Sequence, residues 1–173
     1  MQNQNSWEPI VSYGLLGWFL GTMTPGFCAL LIVTDRFDPA DENDRTTGAL
    51  LAVVVAICSI VGLLAGAGAG RIVKALRGRV NSLVLFLSSP LIGVLWGIAA
   101  GGAGGLPVFI VGAVFGAAIA AVVGAVGFTL FAAVYEPLAR RFGFKLWPGP
   151  LLAFVISLIL SLAVAVAFYL NSK

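Results

Sequence analysis

The chain contains no histidine, and only 10% of its 173 residues are charged. A soluble domain carries about 25% charged residues. Without histidine, the commonest ligand of zinc, copper and haem is missing, and so is the commonest general base near neutral pH. Cysteine is scarce as well. Cys28 and Cys58 both fall in apolar runs, which excludes a disulfide framework and a cysteine-based zinc motif and leaves them as small hydrophobes. No lysine or arginine occurs in the opening "MQNQNSWEPI". That stretch lacks the basic region of a cleavable signal, so the first apolar run is expected to stay in the mature protein. No ionisable residue lies deep in any apolar run, and ion-coupled carriers need one at membrane depth. Ser59 and Ser157 have no base to activate them as nucleophiles. The expectation is a non-enzyme with no catalytic residues, no metal and no cofactor.

What is present is apolar surface. Hydrophobic residues make up 60% of the chain and the mean hydropathy is +1.06. The runs do not alternate as barrel strands do, so they read as helices. The predicted fold is an all-α integral membrane protein, a single domain of about five transmembrane helices at 10–33, 49–72, 80–100, 107–135 and 147–170. Each is near or above the ~20 residues that cross ~30 Å of hydrocarbon. The links are short. "TDRFDPADENDRTTG" (34–48) is hydrophilic, "GGAGG" (101–105) reads as a tight turn, and "EPLARRFGFKLWPGP" joins the last two runs.

Net charge is +3 and the basic residues flank apolar runs without interleaved stacking aromatics, which points to lipid headgroups and away from nucleic acid. Arg71, Lys74, Arg77 and Arg79 follow the second run, and Arg140, Arg141 and Lys145 follow the fourth. The glycine link has none. Positive residues stay on the cytoplasmic side, so the chain is expected to sit in a bacterial inner membrane with its N-terminus in and its C-terminus out. Trp7, Tyr135 and Trp147 are expected to anchor one interface and Tyr169 the other. The four basic residues 71–79 are the candidate headgroup ligands. Glu136 is placed to pair with Arg140 one turn on. The acidic link, with Asp35, Asp38, Asp41, Glu42 and Asp44, lacks the ordered spacing of a calcium loop and reads as a solvated surface.

Small residues recur every four positions. Gly62, Gly66 and Gly70 form one such stripe, Gly93, Gly97 and Gly101 a second, and Gly112, Gly116 and Gly124 a third, with Ala120 between the last two. Gly17 and Gly21 add a shorter one. In lipid, helices associate where small residues let backbones approach. These are the predicted packing faces, either within the bundle or against other subunits or further copies of the chain. The fifth run, rich in leucine and valine, is expected to be peripheral and without a stripe. Pro25 follows Thr22 and Thr24, and Pro90 follows Ser88 and Ser89. The expectation is two kinks whose freed carbonyls the hydroxyls satisfy, or broken helices lining a cavity. "GLLGWFLGTMTPG" and "PLIGVLWGIAAGG" echo each other and suggest two parallel repeats.

The run "GLPVF", Gly105 to Phe109, resembles a stretch of the biotin-binding membrane subunits of energy-coupling transporters. It covers five residues. The glycine- and proline-rich continuation of that family is absent, and five runs stand against its six. The functional expectation is therefore a packing scaffold within a larger membrane complex or homo-oligomer. The alternative is a binding or channel-forming transporter subunit for an uncharged small molecule.

Overall fold

In a computed structural model, residues 7–36, 41–77, 79–142 and 148–171 are described, and they are almost wholly helical. The helices are α1 (Glu8–Arg36), α2 (Glu42–Arg77), α3 (Ser82–Gly105), α4 (Phe109–Phe142) and α5 (Pro148–Asn171), with a 3-10 turn at Leu106–Val108. Four helical stretches are long and apolar enough to cross a membrane: Glu8–Leu31, Glu42–Arg77, Leu83–Leu138 and Gly149–Leu170. The third contains both α3 and α4 and the turn between them.

Helix ends depart from the expected links. α2 starts at Glu42, so most of the hydrophilic stretch 34–48 is helical. The Asn43 amide donates to the Asp41 carboxylate at 2.9 Å, an N-cap, and Glu42 and Asp44 complement the helix dipole in the first turn. At the other end α2 runs on to Arg77, so Arg71, Lys74 and Arg77 ride on the helix and Arg79 alone lies in the link. "GGAGG" is not a turn. It is the last stretch of α3, and the chain reverses at Leu106–Val108. Five glycine-rich positions would fray in water, where each glycine costs about 1 kcal/mol against alanine. Here the neighbouring helices cover this stretch, Gly101 and Gly105 against α4 and Gly104 against Cys58 of α2.

The seams show why. An added Cβ on Gly93 would strike the Gly124 carbonyl, one on Gly97 the Ala120 carbonyl, one on Gly101 the Gly116 carbonyl, and one on Gly105 the Gly112 carbonyl. Each step forward on α3 is a step back on α4, so the two form an antiparallel hairpin with backbones touching. α1 and α2 form a second one. There Gly17 faces the Gly62 carbonyl, Gly21 the Cys58 carbonyl, Gly66 the Tyr13 carbonyl and Gly70 the Pro9–Ile10 backbone. α3 docks on α2 through Trp96, whose Nε1 donates to the Gly62 carbonyl at 2.9 Å. The Cys58 thiol points to the Ala100 carbonyl at 3.6 Å.

α5 lies parallel to α1, with Gly149 against Ser12 and the Thr24 and Ser161 hydroxyls 2.9 Å apart. It is not purely peripheral. Ala153, Ser157, Ser161 and Ala165 are buried at four-residue intervals, a small-residue stripe that serine and alanine hide among leucines. The opposite face, with Leu151, Ile159 and Val166, is exposed. Tyr13, Leu16, Leu20, Trp96, Phe128, Phe131, Tyr135 and Ile156 form the core between the five helices.

Candidate functional site

Polar side chains gather at the end of the bundle where α1 and α5 begin and α2 ends. Arg77 on α2 donates from Nη2 to Glu136 Oε1 on α4 at 2.6 Å, with side chains 18% and 9% exposed. This ion pair ties the first hairpin to the second. The sequence pointed to Arg140 as the partner of Glu136, by helical spacing. The recorded partner is Arg77, 59 residues away, because α2 and α4 converge at this end; the Arg140 side chain lies outside the described residues. The Arg77 guanidinium also sits 5.7 Å from the Tyr135 ring centre, and the Lys74 ammonium 5.6 Å from that of Trp7.

Aromatic rings floor this cluster. Tyr135 stacks on Phe131 at 4.9 Å, and Tyr13 meets Phe131 edge-on at 5.0 Å. Tyr135 is buried, so it is a core residue and not the interface anchor expected of it. Trp7 is 69% exposed and Tyr169 is exposed at the opposite end. Trp147 and Lys145 lie outside the described residues, as does Asp38. The side chains of Asp35, Arg36, Arg140 and Arg141 do too.

Several polar atoms in the cluster have no hydrogen-bond partner. They are Glu8 Oε2, the Tyr13 hydroxyl and Glu136 Oε2, all buried. Tyr13 lies within the electrostatic reach of both Glu136 and Arg77, and Tyr135 within reach of Glu8, Glu136 and Arg77. Sequence reasoning missed this grouping. Glu8, Tyr13, Arg77 and Glu136 are distant in the chain, and each reads alone as a residue near a helix end. The one available signal is that all four fall at the same predicted membrane boundary.

The proline sites differ from a broken-helix design. α1 runs through Pro25 and α3 through Pro90. Pro90 lacks the amide that would bond the Phe86 carbonyl, and the Ser89 hydroxyl donates to that carbonyl instead, at 2.6 Å. Ser88 donates to the Leu85 carbonyl at 2.9 Å. Thr22 lies 2.7 Å from the Trp18 carbonyl and 2.8 Å from Ser59 on α2, which itself lies 2.6 Å from the Val55 carbonyl. Two hydroxyl protons serve these three contacts, so one hydroxyl donates within its helix while the other donates across the seam. Ser157 is fully buried with no partner for its hydroxyl. The echoing tryptophans do different jobs: Trp96 of α3 is buried against α2, and Trp18 is 41% exposed.

Gly112 meets its own hairpin turn at Val108 as well as the Gly105 carbonyl. All nine stripe glycines singled out above thus face helices or turns of this same chain. Of the basic four, Arg71 and Arg79 are exposed, and Lys74 and Arg77 are half-buried in the contacts above. Among the described residues, no group of three cysteines and carboxylates is placed to hold a metal ion.

Comparison with protein-family models, curated proteins and solved structures gives no significant match.

Proposed function

We propose that this chain is a non-catalytic integral membrane protein with five crossings, a rigid packing scaffold that joins other membrane subunits or further copies of itself. The observation behind this reading is the contrast between its seams and its surface. Within the chain, glycine backbones touch along two hairpins. Outside, helix faces are broadly apolar, with Leu64, Leu91, Phe115 and Ile159 each more than 60% exposed. A continuous apolar surface of that kind meets lipid or another protein. The reversal at Leu106–Val108 supports the count of five. At ~1.5 Å per residue, the 24 residues of α3 reach ~36 Å and the longer α4 exceeds that, so each arm covers the hydrocarbon alone.

Because the glycine stripes are used inside the chain, partner contacts fall to the outward faces. Small residues remain there, among them Ala52 and Ala56 on α2 and Ala118 on α4. Arg71, Lys74, Arg77 and Arg79 gather at one end of the bundle. By the positive-inside rule that end is cytoplasmic, in a bacterial inner membrane, with the C-terminus outside. Arg71 and Arg79 are the pair free in geometry to meet acidic lipid headgroups. The transporter-subunit reading asks for hydroxyls around an open path. Ser88 and Ser89 bond their own helix, and Thr24 bonds α5, so no observation favours it.

Extraction in mild detergent, with cross-linking in the native membrane beforehand, tests the scaffold. The expected result is migration well above the 17.9 kDa monomer, with cross-links from outward positions to other chains or to a second copy. A monomer without cross-links at any outward position refutes it.

A further inference from the structure

We propose that Glu8, Tyr13, Arg77 and Glu136 form a binding site for one small monocation that carries N–H donors, an ammonium or a guanidinium group. The inference goes beyond the scaffold reading and does not depend on it. Two carboxylate oxygens are unmet in the cluster against one unmet donor, the Tyr13 hydroxyl. Glu136 Oε1 takes the Arg77 guanidinium, while Glu136 Oε2, Glu8 Oε2 and the Tyr13 hydroxyl are buried without partners. Tyr13 is 1% exposed and its hydroxyl shares its surroundings with Glu136 and Arg77. Buried polar groups are normally bonded, and an unmet one costs the whole of its desolvation.

Charge points the same way. Among the described residues, two carboxylates against one guanidinium leave the group at −2 + 1 = −1 when ionised. Lys74, the next cation along α2, sits over Trp7. A guest that matches must bring positive charge and hydrogen-bond donors together. An anion would face two carboxylates at close quarters, and water brings donors without charge. A hard divalent ion asks for six or more oxygens, and three unmet ones are present here. Access is from the water side, because Glu8 begins α1 and is only half-buried.

The test uses the full chain in nanodiscs of neutral phosphatidylcholine. Melting is followed by tryptophan fluorescence in methylammonium, guanidinium, tetramethylammonium or sodium chloride, each at low millimolar concentration and equal ionic strength. Methylammonium and guanidinium are expected to raise Tm saturably. Tetramethylammonium, which has no N–H, is expected to match sodium. Tyr13→Phe keeps the ring and its packing and is expected to weaken the apparent affinity about tenfold, one hydrogen bond to a charged guest. Glu8→Gln weakens it in the same direction, and Arg71→Gln, outside the cluster, leaves it unchanged. Equal shifts from all four salts overturn the proposal. So does parental binding in both Tyr13→Phe and Glu8→Gln. If Lys74→Met creates binding that the parent lacks, Lys74 itself fills the acceptors and the proposal also falls.

Discussion

Gly66 and Gly68 sit two residues apart on α2, yet a methyl group added to each meets opposite surroundings. At Gly66 the new Cβ strikes the Tyr13 carbonyl and stands 3.2 Å from the Cα atoms of both Gly14 and Gly17. All three are backbone atoms of α1, so no side chain can swing aside and the helices must part. At Gly68 nothing lies within 4 Å. Overpacking of a tight contact costs about 1–3 kcal/mol. Gly68→Ala carries no such cost and gains up to about 1 kcal/mol of helix propensity. The two alanine variants should therefore differ by about 1–4 kcal/mol. For a chain of this length that is roughly 2–4 °C in Tm per kcal/mol. The assay is thermal unfolding of the purified chain in mild detergent, with recovery by size exclusion after heating. Gly66→Leu should fall further still, whereas Val155→Leu, on the exposed face of α5, should melt like the parent. If Gly66→Ala and Gly68→Ala melt within about a degree of each other, the α1–α2 seam is not the tight interface described and the packing argument fails.

Other expectations follow from single contacts. Arg77→Met leaves the buried Glu136 carboxylate unpaired and should cost about 3–5 kcal/mol, while Arg77→Met combined with Glu136→Leu should recover much of that loss in a melt. Trp96→Phe removes the bond to the Gly62 carbonyl and should lower stability by about 1–3 kcal/mol in chemical unfolding. Phe109 is held at φ 73°, a conformation that suits glycine, and its side chain is 83% exposed. Phe109→Gly should thus raise stability by about 1 kcal/mol, and a lower Tm would refute the strain assigned to this turn. Single cysteines at Asn43 and Arg79, in a cysteine-free chain, should show labelling of intact cells by an impermeant thiol reagent at 43 and not at 79; the reverse pattern inverts the orientation.

Helices and their seams were largely legible in the sequence, because glycine at four-residue spacing admits few other readings in lipid. Gly93, Gly97 and Gly101 pair with Gly124, Ala120 and Gly116 in an order that an antiparallel hairpin dictates. The fifth stripe escaped notice because Ser157 and Ser161 look polar, although in a helix seam their small size matters more than their hydroxyls. "GGAGG" misled for a related reason. Glycine breaks helices when water competes for the backbone, and here the backbone of α4 covers Gly101 and Gly105 instead. The polar cluster was least legible. It depends on where Glu8, Arg77 and Glu136 arrive after three helices have packed, and spacing along the chain carries none of that.

The turn at Leu106–Val108 also bears on how the chain is made. From Leu83 to Tyr135 the sequence contains no charged residue. On the five-crossing reading, one end of the α3–α4 hairpin must be carried through the bilayer during synthesis. A charged residue moved to the bilayer centre costs about 2.5–3.5 kcal/mol on insertion scales. On that reading the translocated piece is a three-residue turn flanked by Gly105 and Phe109, with no charged side chain to hydrate. The two arms can therefore leave the translocation machinery as a preassembled pair, zipped through their glycines, before α5 has emerged from the ribosome. Biogenesis of this half of the protein then needs no charge to be pushed across and no separate insertion of each arm.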